Sequence, residues 1–239
     1  MKYTPIDDLP DAGPETALRS AHVPASSQVY EQLRAQIVSL VLKPGTRLSR
    51  PDLAKAFGVS QSPVREAIQR LERVGLVDTY RQSRTEVTLI DQALLRQQHF
   101  LRCGIECEVV HRLSGLTDQS ALLKASGILR MQKVLADDLA QIELFRELDE
   151  DFHRELFMAA GQEALHELVV ERSSQMARLR AIDMPRVEKL QSIVEGHEAV
   201  MNAISKGDAH GATDAMRAHL SGTISRLPEI IEQAPQYFK

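Results

Sequence analysis

The chain contains no tryptophan, and aromatic residues fill only 4% of its 239 positions. Sheet surfaces rely on aromatic and β-branched side chains, so this composition disfavours a sandwich or barrel and suits helix packed on helix. Cysteine is scarce as well. Cys103 and Cys107 are the two in the chain, four residues apart on what reads as one helix, and no disulfide framework is implied. The plain expectation is two small buried residues; the alternative is a thiol redox switch. No run of about 18 apolar residues exists, so no membrane-spanning helix is expected. The N-terminus lacks a basic start followed by an apolar stretch, so no secretory signal is expected either. The expected location is the cytoplasm.

What the chain does have is 43% hydrophobic residues, enough for real cores in one or two domains. Its net charge of −4 argues against a nucleic-acid partner only until its distribution is read. Between Ser26 and Ile90 stand ten basic and six acidic residues, so this segment carries +4 and the remainder −8. Phosphate responds to the local field rather than to the global sum.

The stretch from Leu48 to Ile90 explains that asymmetry. Ser49 is placed to cap a short helix whose Leu53, Ala54 and Phe57 share a face, and Gly58 stops it. Ser62-Pro63 is a second start signal: the serine caps, and proline at the first helical position gives up only an N–H that has no helical partner. Val64, Ala67, Ile68 and Leu71 then form a buried stripe, with Arg65, Gln69, Arg70 and Arg73 turned away, and Gly75 ends the helix. Leu76–Tyr80 and Thr85–Ile90 read as two short strands around a basic tip. Before them, Val29, Leu33, Ile37 and Leu40 recur near period 3.6 in a helix from Ser26 or Ser27, closed by Lys43-Pro44-Gly45. Residues 1–25 carry four prolines and no periodicity and read as a flexible tail.

Helix, turn, helix, hairpin is the plan of a winged helix-turn-helix, whose second helix enters the major groove by its N-terminal end. Here that end offers Ser60, Gln61, Ser62 and Arg65. Arginine can pair with guanine and glutamine with adenine, while Arg50, Arg81 and Arg84 are positioned to hold phosphates. An ordinary core with solvated basic residues is the competing reading.

After Ile90 the pattern turns helical throughout. Six segments are expected, near 91–114, 118–138, 142–160, 162–182, 187–206 and 208–233, joined by short breaks as in an antiparallel bundle. In the third, Leu144, Leu148, Phe152 and Leu156 form an apolar stripe. Asp149 and His153 lie beside it, four apart on one face. His197 and His219 sit beside apolar stripes on later helices. An unpaired buried carboxylate or imidazole is costly. Three imidazoles and one carboxylate from three helices can converge on a divalent cation such as Zn²⁺ or Ni²⁺; alternatively each histidine is a separate, satisfied core or surface residue, which is the reading for His22, His99, His111, His166 and His210.

The N-terminal residues resemble the GntR family of bacterial transcription regulators. The resemblance rests on Leu53-Ala54, Phe57-Gly58-Val59-Ser60, Pro63-Val64-Arg65-Glu66-Ala67-Ile68, Arg70-Leu71 and Gly75-Leu76-Val77. Gln61 replaces the arginine usual in the family, and the wing tip Gln82-Ser83-Arg84-Thr85 lacks its usual glycine. The second half resembles the FCD ligand-binding domain of the FadR-type branch. It does so at Phe100-Leu101-Arg102 with Glu106, Leu148 to His153, Gly196-His197-Glu198-Ala199, Ala203-Ile204, Gly207-Asp208 and Ala215 to Leu220. This likeness implies a mainly α chain with a tail at 1–25, a winged helix-turn-helix at 26–90 and a helical domain at 91–235. It also implies a metal held by Asp149, His153, His197 and His219, and Arg102 facing a pocket for a small carboxylate effector. A homodimer on a palindromic double-stranded operator is implied too, with repression the commoner mode. Arg102 has a competing reading as an i,i+4 ion pair to Glu106. Two other functions stay open at this level: a metal-dependent hydrolase, and a DNA-binding protein whose metal is structural.

Overall fold

Pro24 opens helix α1 (Ala25–Val38), one residue ahead of the expected serine start and with no side-chain cap. Val29, Tyr30, Leu33 and Ile37 are buried along it. The helix stops at Ser39, and Leu40 takes a positive φ of 63°, so the chain turns before Lys43-Pro44-Gly45. The computed structural model of the protein describes residues 23–80 and 84–239. The predicted tail lies almost wholly outside these residues, and Arg81, assigned to phosphate contact, lies outside them too.

A two-residue strand that periodicity cannot reveal, β1 (Arg47–Leu48), precedes α2 (Arg50–Ala56). Ser49 caps α2 as expected, its Oγ accepting from the backbone N–H of Asp52 at 3.4 Å. Gly58 at φ +63° supplies the left-handed turn that follows. Helix α3 (Gln61–Arg73) starts earlier than the Ser62-Pro63 signal suggested, with Ser60 at its N-cap. Pro63 still sits in the first turn, where its missing N–H costs nothing. Strands β2 (Val77–Tyr80) and β3 (Arg84–Val87) complete an antiparallel sheet in the order β1-β3-β2, with Val77 opposite Val87 and Arg47 opposite Glu86. The buried side chains of α1, α2, α3 and the sheet share one core.

Residues 91–238 form a second compact unit with its own core. Asp91 caps α4 (Gln92–Ser114), accepting from the N–H groups of Ala93 and Leu94 at 2.9 and 3.0 Å. The helices α5 (Leu123–Leu135), α6 (Ile142–Ala159), α7 (Glu163–Arg172), α8 (Ser174–Asp183), α9 (Val187–Ser205), α10 (Ala209–Ile224) and α11 (Leu227–Gln233) follow. The unit therefore has eight α-helices among the described residues, not about six. Two expected helices are each split. Ser173, at φ −107° and ψ 21°, separates α7 from α8, and Ser225-Arg226 separates α10 from α11. The first break carries no glycine or proline, while the second is followed at once by Pro228 in the first turn of α11. Helix α10 packs along α4 and α9, and α6 along α5. On α6 the expected stripe holds at Leu148, Phe152 and Leu156 and fails at its first position: Leu144 is 44% exposed while Phe145 is fully buried.

Candidate functional site

The first unit presents the N-terminal end of α3 to solvent. Ser60, Gln61, Ser62 and Arg65 are all exposed, while Val64, Ala67, Ile68 and Leu71 anchor the opposite face. Arg50 opens α2 and is half-buried. Arg84 is exposed on β3 but held in place: its Nε lies 2.7 Å from Glu86 Oε2, and its guanidinium sits 4.6 Å above the Tyr80 ring. Arg70, by contrast, is a fastening between helices. It stands 3.8 Å over the Tyr30 ring and donates to Ser27 Oγ at 3.2 Å, tying α3 to α1.

In the second unit, α6 carries Asp149 and His153, α9 carries His197 and α10 carries His219. One donor atom from each of the four lies within 4.8 Å of the others. Asp149, His153 and His197 are buried. His197 stacks on Phe152, with ring centroids 3.8 Å apart and 17° between planes, and His153 Nε2 meets His219 Nε2 at 3.2 Å.

Outer partners orient these rings. His197 Nδ1 lies 2.8 Å from Gln132 Oε1, an acceptor, so Nδ1 carries the proton and Nε2 keeps its lone pair. That Nε2 faces Asp149 Oδ1 at 3.5 Å, and both atoms are buried without a hydrogen bond. His153 Nδ1 lies 2.6 Å from Glu106 Oε2, so a carboxylate backs this ring from the side away from the other donors. Metal-binding histidines are commonly fixed by such carboxylate and carbonyl neighbours. Orphaned inward-facing donors of this kind fit a cation, because burying them unpaired is costly.

The charges agree. Burial, then His219, holds the His197 ring neutral far below the usual imidazole range; burial, then His153, lowers His219 to about 3. Burial opposes ionisation of Asp149 and Glu106, but Arg180 and His197 around the first, and Arg102 and His153 around the second, outweigh it and hold both carboxyls well below their ordinary range. Asp149 thus offers ionised oxygen, and His197 and His219 offer neutral nitrogen, the protonation states that metal ligation requires.

Arg102 reconciles its two readings. Its Nε bonds Glu106 Oε1 at 2.6 Å as the i,i+4 pair, and the residue also lines a cavity with Asp149, His153 and His219. That cavity has basic walls that sequence reasoning missed: Arg180, which pairs with Asp149, and Lys189. Ile193, Leu220 and Met184 give it apolar sides. Glu106 was visible only as a partner for Arg102; Arg180 and Gln132 carry no local signal. The two thiols are free: Cys107 is buried and Cys103 half-buried, the latter 3.4 Å from His99 Nε2.

A three-stranded winged helix-turn-helix followed by a helical bundle with a polar cavity is the architecture of a transcription regulator with an attached sensing domain. The chain belongs to the GntR family of bacterial regulatory proteins: residues 25–87 match that family and residues 99–222 match the FCD domain. It is 28% identical over 215 residues to the HTH-type transcriptional repressor RspR of Escherichia coli (strain K12), covering 90% of this chain and 94% of that one. It is 30% identical over 214 residues to the HTH-type transcriptional regulator LutR of Bacillus subtilis (strain 168), covering 82% and 97%. The fold is similar to that of the solved E. coli McbR/YncC, with a TM-score of 0.70 at 20% identity over 88% of this chain and 99% of that one. The protein is therefore a DNA-binding transcription regulator and not a hydrolase. Among the described residues no helix is long and apolar enough to cross a membrane.

Proposed function

We propose that this protein is a cytoplasmic, homodimeric repressor whose grip on a palindromic operator is set by a small organic acid bound beside a divalent transition metal, Zn²⁺ or Ni²⁺. In this reading Ser60, Gln61, Ser62 and Arg65 read base edges in the major groove, and Arg50, Arg81 and Arg84 hold phosphates. Two heads on a two-fold axis match a two-fold operator. Asp149, His153, His197 and His219 hold the metal. When bound, the metal supplies a Lewis-acidic centre for one carboxylate oxygen. Arg102, already ionised and oriented by Glu106, is placed to take the same acid through its remaining N–H donors.

The observation that carries the reading is the convergence of four donors from three helices, two of the rings fixed from behind by Glu106 and Gln132. A site that was only a polar accident would not leave His197 Nε2 and Asp149 Oδ1 buried, facing each other and without a hydrogen bond. Coupling to DNA must be reciprocal: an acid that loosens the operator complex binds that complex less well than the free protein. The test begins with duplexes selected from a random pool by the purified protein. Fluorescence anisotropy then measures operator affinity with metal-loaded and chelated protein across a panel of organic acids, alongside elemental analysis. An affinity shift that needs both metal and acid supports the reading. Operator affinity indifferent to every acid in the panel, with the metal firmly bound, would leave the metal structural and overturn it.

A further inference from the structure

The same cavity has a second end. Lys189, in the first turn of α9, is only 8% exposed, and lysine is almost never buried without a partner. Its partner is shared. Asp183 gives Oδ1 to Arg186 at 2.7 Å and to Arg226 at 3.1 Å, and its Oδ2 lies 3.6 Å from Lys189 Nζ, well beyond the usual hydrogen-bond length of about 2.9 Å. The ammonium is therefore held near a carboxylate that already serves two guanidinium groups. It packs close to α10, where a β-carbon on Gly222 would sit 3.4 Å from Nζ, and it lines the same cavity as the four-donor cluster. Gly222 lies three residues beyond His219, one turn further along α10, which is about 5 Å of helix rise.

Charge points the same way. Around the cavity, Arg102 pairs with Glu106, Arg180 with Asp149 and Lys189 with Asp183, so these walls cancel. Three imidazoles must be neutral to ligate. A divalent cation then leaves two uncompensated positive charges in a largely buried site, and Arg186, which shares Asp183 with Lys189, adds to that excess, while Arg226 is balanced by Glu229. Buried charge is tolerated when it is paired.

We propose that the effector is a dianion, a short dicarboxylate, with one acid group at the four-donor cluster beside Arg102 and the second held by Lys189 with Arg180. The spacing of about one helical turn suits two carboxylates joined by a short carbon chain, and Ile193, Leu220 and Met184 supply apolar wall for that chain. This inference rests on the metal-and-acid reading above and adds the second charge and the residue that selects for it.

The test uses the full chain loaded with Zn²⁺, its metal content checked by elemental analysis. Calorimetry compares succinate with butyrate, a monoacid of the same carbon number. Succinate is expected to bind at least about tenfold more tightly, the scale of one added charged contact. In Lys189→Met the preference should vanish with zinc content unchanged, and in Lys189→Arg it should survive. Asp183 keeps Arg186 and Arg226 in both variants, so neither strands a buried carboxylate, and circular dichroism verifies their folding. Equal affinity for the two acids in the native protein, or an undiminished preference in Lys189→Met, would overturn the second-charge assignment alone. If neither acid binds the zinc-loaded chain, the underlying carboxylate reading falls with it.

Discussion

Gly196 faces His219 so closely that a β-carbon on the glycine would stand 2.7 Å from the imidazole Nδ1 and 3.2 Å from its Cβ. Real β-carbons do not approach that near. The glycine on α9 is thus a condition for the position of a histidine on α10. Gly196→Ala is expected to push His219 off the other three donors while removing no donor atom. Bound zinc should fall by roughly tenfold in affinity, the scale seen when ligand-orienting neighbours are lost, as measured by competition with a chromogenic chelator. Native metal affinity in this variant would show that the ring has room to move.

Arg65 stands exposed at the start of α3 while its neighbours Val64 and Ala67 are buried. Arg65→Ala should leave the melting temperature unchanged and weaken discrimination between operator and unrelated DNA. A bidentate arginine contact contributes about 1–3 kcal/mol of that discrimination. Gel shifts at fixed salt read it. Undiminished operator preference would move the reading residues elsewhere.

Glu106 touches both Arg102 and His153 with its two oxygens. Glu106→Gln removes the negative charge that both need. Zinc affinity should drop by about 10–100-fold. The uncompensated Arg102 should cost on the order of 3 kcal/mol of stability, read from urea melts with and without zinc. A variant that keeps both properties would reduce Glu106 to a bystander.

Burial pushes the Cys107 thiol up to about 11 and raises that of Cys103 as well. The thiolate is the reactive form, so at pH 8 Cys107 in the native protein should alkylate roughly a hundredfold more slowly than in the urea-unfolded chain, and Cys103 should be slowed in the same direction. Mass spectrometry after timed iodoacetamide exposure checks this. Fast native labelling would reopen the redox alternative.

Much of this was legible in the sequence, and the boundary is physical. Capping at Ser49, the left-handed glycines at 58 and 75, and the stripe from Val64 to Leu71 are local facts, and local chemistry enforces them. Each of the four donors lies beside an apolar stripe, where an ionisable group needs a partner, but it was the likeness to the FCD domain that singled them out as one set. Ser173 broke a helix with no signal, because its conformation comes from packing rather than from its own backbone preference. The one-residue shift from Leu144 to Phe145 has the same origin, since periodicity gives a face only to within a residue. Arg180 could not be foreseen: it meets Asp149 from another helix, 31 residues away, and pairing at that range is a property of the tertiary fold.

The sheltering of His197, with Phe152 against its face and Gln132 at its edge, reaches beyond affinity. A ring wedged in this manner cannot swing outward to make way for a bulkier coordination sphere. Calcium, which seeks six to eight oxygens, and magnesium, which gives up its waters reluctantly, would meet three nitrogens and a single acid there. Under the proposed metal-and-acid reading, cellular abundance of these two ions would therefore not drown the signal, and the rigidity of one stacked ring would act as a filter on which element the site accepts.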